Sequence, residues 1–152
     1  MARLDDMHET LAQHLRGMEY PSPGDAALVS GPPLKDRRVA IVTSAALIRP
    51  GDTPFGFGGN EYRVLPTEDA DQLVISHLST NFDRTGFQQD LNIVFPIDRL
   101  HEMAADGEIA SVADYHYSFM GAADPAVMED AADQVAGMLK QDQVDAVLLT
   151  PV

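Results

Sequence analysis

The chain has 152 residues, no cysteine, and 24 Asp+Glu against 10 Lys+Arg, for a formal net charge of −14. Without cysteine, these residues hold no disulfide scaffold, no Cys-ligated zinc or Fe–S cluster and no thiol nucleophile. The charge argues against binding along nucleic acid or an anionic membrane, while 45% hydrophobic content supports a core of one ordinary domain, or part of a larger one.

Leu4, Met7, Leu11, Leu15 and Met18 recur at spacings of three and four, which predicts a helix over residues 2–18 with one apolar stripe. The turn-rich stretches Tyr20-Pro-Ser-Pro-Gly24 and Gly31-Pro-Pro33 follow. They divide the chain into an N-terminal helical arm with its linker, residues 1–34, and a main domain, residues 35–152. The first residues lead into no apolar stretch of the secretory kind. Runs such as residues 39–42 and 146–149 are too short to cross a bilayer. The expectation is a cytoplasmic protein with no membrane span.

Val39-Ala-Ile-Val-Thr43 is a β-branched run that reads as a buried central strand, opening at Ser44-Ala-Ala46 into a loop. Residues 49–60 form a long loop with two Pro and four Gly. Residues 61–66 predict a short strand, 67–71 one helical turn, 73–77 a strand, and 93–95 a very short strand. Residues 81–92 read as a polar loop. Pro96 suits a helix start, with Leu100, Met103 and Ala104 on its buried face and Gly107 as its stop. Residues 109–119 read as strand plus loop. Asp124-Pro125 caps a helix running to about residue 141, and residues 144–149 form a last apolar strand of interior character. Strands alternating with helices give an α/β layered fold, with a mostly parallel sheet and flanking helices of the Rossmann-like or flavodoxin-like kind. In such a fold, ligands bind beyond the carboxyl ends of the strands. That directs attention to residues 43–46, 76–80 and 150–152, and makes Ser44 and Thr150 substrate-binding candidates.

Gly56-Phe-Gly-Gly59 lacks the spacing and the strand-to-helix setting of a phosphate loop and reads as a flexible loop. His77, Asp83, Asp90 and Asn92 lie along a strand end and polar loop, so they form either an acid/base cluster or a metal site, although their spacing fits no metal motif. His8 and His14 are expected to be solvated, and His116 to lie on a strand surface. Arg99, at a helix start, either clamps a substrate carboxylate or pairs with a local acid. After Arg99 the only Lys or Arg is Lys140, against ten acids. This reads as solvated helix faces, or else as an acidic docking surface. Ser44 sits in no nucleophile elbow.

Several segments in order resemble the selenoprotein B family of glycine, sarcosine, betaine and D-proline reductases. They are Val39-Ala-Ile-Val-Thr-Ser-Ala45; Ser76-His77 with Asp83; Asp90-Leu-Asn-Ile-Val-Phe-Pro-Ile-Asp-Arg-Leu100; Gly107-Glu-Ile109; and Leu139 through Pro151. The resemblance runs from about Lys35 to the last residue. It implies reductive C–N bond cleavage by a selenolate or thiolate that would follow Val152 and is absent here. It also implies a pyruvoyl group on a partner subunit, a thioredoxin-like reductant, a small amine or amino-acid substrate, and an oligomer. By the same resemblance His77 and Asp83 are catalytic candidates, with His77 as proton donor to the leaving amine. Asp90, Asn92 and Arg99 are substrate-binding candidates. The expectation is a chain that stops at a selenocysteine codon read as stop and is inactive alone. The alternatives are a non-enzymatic binding or assembly module and a metal-dependent enzyme built on His77, Asp83 and Asp90.

Overall fold

The computed structural model describes residues 4–19, 29–78, 84–121 and 123–152. It is a mixed α/β structure built around one strand, β1 (Arg38–Thr43). The run Arg-Val-Ala-Ile-Val-Thr is β-branched and apolar, and both of its edges are paired. One edge carries β7 (Ala146–Thr150), parallel and in register from Val39↔Ala146 to Thr43↔Thr150. The other edge is shared by two parallel pieces. β5 (Ser111–Val112) pairs at Arg38–Val39, and β6 (Tyr115–Phe119) pairs at Val42–Thr43. β3 (Tyr62–Pro66) extends the sheet antiparallel to β6, and a separate hairpin joins β2 (Leu47–Ile48) to β4 (Val74–Ile75).

The break between β5 and β6 would leave β1 backbone unpaired in the core. His116 fills it. The Ile41 N–H donates to His116 Nδ1 at 2.8 Å. The Thr67 hydroxyl, which donates to the Ala113 carbonyl at 2.7 Å, lies 3.0 Å from His116 Nε2. Those bonds select the neutral tautomer with its proton on Nε2. Burial pushes the His116 pKa down to about 4. The expectation of a surface histidine is therefore corrected: His116 is fully buried, its ring edge-on to Phe95.

Alternation along β1 assigns its two faces. Val39 and Ile41 pack with Phe87, Phe95, Ile97 and Leu100, beneath α2 (Thr85–Gln89) and α3 (Ile97–Ala105). Val42 lies on the opposite side with Tyr117, Phe119, Ala131 and Val135, beneath α4 (Glu129–Gln141). At the amino end of the sheet, Arg38 bridges three segments. Its guanidinium donates to the Asp142 carboxylate at 2.7 Å, the Asp142 carbonyl at 2.8 Å and the Val112 carbonyl at 2.8 Å, and pairs with Asp114 at 3.0 Å. The other Asp142 oxygen accepts from the Asp114 N–H at 3.0 Å.

Several expectations are revised. The N-terminal stripe resolves into a 3-10 turn (Leu4–Asp6) and α1 (Glu9–Arg16), because His8 stands as an N-cap between them. The polar stretch before Asn92 contains α2, whose one buried residue, Phe87, is too little to show periodicity. Residues 91–93 form a 3-10 turn rather than lead into a strand. The last strand is apolar like an interior strand but lies at an edge of the described sheet, with Leu149 70% exposed. Asp124 does cap as expected, accepting from the Ala126 N–H at 2.9 Å ahead of α4. Gly107 follows α3 with φ of +75°. No helix among the described residues is long and apolar enough to cross a membrane.

Candidate functional site

The carboxyl ends of β1, β6 and β7 meet at one place, and hydroxyl groups tie them together. Thr43, the last residue of β1, is buried, and its hydroxyl donates to the Val94 carbonyl at 2.9 Å. The Thr150 hydroxyl donates to the same carbonyl at 3.0 Å. Val94 therefore accepts from both strands. Ser44 completes the joint: its N–H donates to the Thr150 carbonyl at 3.2 Å, and its Oγ accepts from the Val152 N–H at 2.8 Å. Gly121, two residues beyond the end of β6, has φ of +74° and lies so close that a Cβ there would come within 2.6 Å of the Ser44 Cβ. Only glycine satisfies both the left-handed backbone and that approach. Thus Ser44 and Thr150, singled out by their strand-end position, do lie together. Gly121 was not singled out, although a glycine just after an apolar strand was the available signal.

A cavity of about 380 Å³ opens beside this joint, between the strand ends and α4. Val42, Phe119, Met128, Ala132, Leu149 and Pro151 supply most of its wall, and among the described residues no lining side chain is ionisable.

His77 reaches the same end of the sheet by a different route. The Ser76 N–H donates to the Ala46 carbonyl at 2.9 Å, and Ser76 Oγ accepts from the Phe55 N–H at 3.2 Å. This stitches the segment after β4 to the turn after β1. His77 is buried, and that burial, with Arg84 nearby as a lesser cause, holds its pKa below the ordinary imidazole value. Asp83 lies outside the described residues.

Asp90, Asn92 and Arg99 belong elsewhere. The Asp90 carboxylate accepts from the Asn92 N–H at 2.9 Å and from its side-chain amide at 3.1 Å. Those two bonds hold its pKa below the usual carboxylate range. The Asn92 amide also donates to Asp98 at 2.8 Å, and Asn92 Oδ1 accepts from the Asp98 N–H at 3.0 Å, at the start of α3. Asp90 and Asn92 border a separate cavity of about 430 Å³ that shares no residue with the strand-end cavity. Arg99 pairs with Glu102 at 2.7 Å on the exposed side of α3. The conspicuous Asp90–Leu100 motif is thus a chain of caps, and its product at the strand ends is the placed carbonyl of Val94. Among the described residues, no group of three or more His, Asp or Glu is arranged to hold a metal ion.

Sequence comparison separates this arrangement from the many unrelated α/β sites that share its architecture. Residues 9–152 match the family model for glycine/sarcosine/betaine reductase selenoprotein B. The chain belongs to that family. Its relatives include D-proline reductase subunit gamma of Acetoanaerobium sticklandii, 34% identical over 121 residues, covering 77% of this chain and 49% of that protein. Glycine reductase complex component B subunit gamma of Symbiobacterium thermophilum is 30% identical over 155 residues, covering 93% and 36%. Betaine reductase complex component B subunit beta of Peptoclostridium acidaminophilum is 27% identical over 156 residues, with the same coverage of 93% and 36%. This chain therefore spans between about a third and a half of the length of these relatives. No solved structure matches it.

Proposed function

We propose that this chain is the part of a selenoprotein B-type amino-acid reductase subunit that builds the substrate-facing end of the sheet. The match of residues 9–152 to the family model carries the reading. The strand-end geometry supports it. β7 and β6 flank β1 with helices on both faces, as in a doubly wound, Rossmann- or flavodoxin-like domain spanning residues 35–152. Three strands end at one cavity, where such folds bind ligands.

The reaction in this reading is reductive cleavage of a C–N bond in a small amine or amino acid. The chalcogenolate, selenocysteine or cysteine, comes from outside these 152 residues, which contain no cysteine. In this reading the amine would be activated by a pyruvoyl group on a partner subunit, and electrons would come from a thioredoxin-like protein in the cytoplasm. The chain's own residues then have defined tasks. Ser44 and Thr150 shape the floor, and the Ser44 hydroxyl offers a hydrogen bond to a carboxylate. His77 moves a proton at the leaving amine. Burial lowers its pKa, so it gives up a proton more readily than a free imidazole. The names of the relatives as components of reductase complexes support a multi-subunit assembly.

The test is a titration of the ¹⁵N-labelled chain with glycine, sarcosine, betaine and D-proline. Saturable shifts at residues 43–45, 119–121 and 149–152 are expected from at least one of them. Silence of those amides with all four amines sinks the reading.

A further inference from the structure

Resting on that reading, we propose that the strand-end cavity is a hydrocarbon subsite. It takes the saturated ring or alkyl chain of an aliphatic amine, and Ala132 sets the size of the group it admits. It is an open groove of about 380 Å³, and its wall is almost entirely hydrocarbon.

The polar groups nearest the cavity are already satisfied by one another. The Thr43 and Thr150 hydroxyl protons go to the Val94 carbonyl. The Ser44 N–H goes to the Thr150 carbonyl, and the Val152 N–H goes to Ser44 Oγ. What faces the cavity is therefore hydrocarbon from Val42, Phe119, Met128, Ala132, Leu149 and Pro151. The Ser44 Oγ accepts from the Val152 N–H, and a hydroxyl that accepts keeps its own proton to give. One donor at the edge of an uncharged wall fits a ligand that buries its carbon skeleton and leaves its charged ends at the mouth.

That chemistry discriminates among amines. Glycine has a single methylene between two charges, so entering this cavity strips water from both charges against a wall that returns nothing. A pyrrolidine ring presents three ring methylenes to the wall. Each methylene buried strengthens binding roughly fourfold, or on the order of 50-fold for three. A quaternary ammonium suits the site poorly, because it needs an aromatic cage or a carboxylate, and among the described residues Phe119 is the only aromatic in the lining.

Ala132 lies on the exposed side of α4, where a larger side chain enters the cavity without disturbing the core. Gly137, on the same helix, faces open space and serves as the control position.

The experiment titrates the ¹⁵N-labelled 152-residue chain with D-proline, pyrrolidine and glycine, following Val42, Phe119, Ala132 and Leu149. D-proline and pyrrolidine are expected to shift these amides at concentrations at least tenfold below glycine. Ala132→Leu should weaken the D-proline response at least tenfold, with the rest of the spectrum retained, and Gly137→Ala should leave it unchanged. Two outcomes overturn the hydrocarbon subsite while leaving the broader functional reading intact. One is glycine binding as well as D-proline. The other is a D-proline response indifferent to Ala132→Leu. Silence from these ligands together with sarcosine and betaine overturns both.

Discussion

The two ends of the sheet are held by different chemistry. At the amino end, one charged side chain, Arg38, ties β1, the β5–β6 segment and the turn before β7 with short, charge-assisted bonds. At the carboxyl end, neutral hydroxyls and one carbonyl make the joint, and an uncharged cavity lies beside them. The contrast teaches a division of labour. Strong electrostatics anchor the end where no ligand is expected. The carboxyl end uses weaker, neutral bonds.

The comparison sharpens into graded expectations. Arg38→Met should have the largest effect. It takes the guanidinium from the Asp142 carboxylate, whose side chain is only 14% exposed and keeps its bond from the Asp114 N–H, and should cost about 3 kcal/mol in urea unfolding. A loss near zero would remove the idea of an anchoring end.

His116, midway between the ends, should make stability fall in acid. Its imidazole stays neutral in the fold down to about pH 4, whereas an unfolded imidazole takes its proton near pH 6.5. The contribution is full above about pH 6.5 and is lost as pH falls toward about 4, amounting to about 3 kcal/mol. His116→Asn keeps a side-chain acceptor without a titrating group, so its stability profile should be flatter over that interval. Parallel profiles for the two proteins would contradict the neutral tautomer.

At the carboxyl end, Thr43→Val should cost only about 1–2 kcal/mol, and Thr43→Ser should recover most of it. The amide signals of Ser44 and Val152 should shift in the valine variant and return in the serine variant. A cost matching that of Arg38→Met would erase the difference between the ends. The smallest effect is expected from Asn92→Ala, about 1 kcal/mol for a lost cap at α3. It should carry a measurable shift at Thr43 and Thr150 through the Val94 carbonyl, and an unmoved Thr150 signal would show that the motif and the joint are independent.

The parts legible in the sequence were those governed by repeating patterns or strong local chemistry. The β-branched run at residues 38–43 gave β1, and Asp124-Pro125 marked the turn into α4. Residues 62–66 and 146–150 also formed strands as their patterns indicated. Much of the rest depends on distant partners. His116 looks like any polar residue between two tyrosines until the gap in the ladder beside Ile41 demands a buried acceptor. α2 is five residues long and exposes all but Phe87, so no stripe announces it. The strand-end rule brought Ser44 and Thr150 together correctly in space. The Asp90–Leu100 motif was legible as a signature of kinship, but its wiring as a chain of caps was not. That wiring becomes visible only when Asn92 and Asp98 face each other.

The double use of the Val94 carbonyl also bears on the order of assembly. Thr43 and Thr150 are separated by 107 positions, and the whole β1–β7 ladder spans a similar interval. Contacts so far apart in sequence form slowly, because a long loop must close before they return any stabilisation. During synthesis β1 emerges about a hundred residues ahead of β7, the strand that covers one of its edges. Until β7 follows, the most deeply buried strand of the domain presents an unpaired apolar ribbon, and the arrival of β7 decides whether it becomes a core or a sticking point.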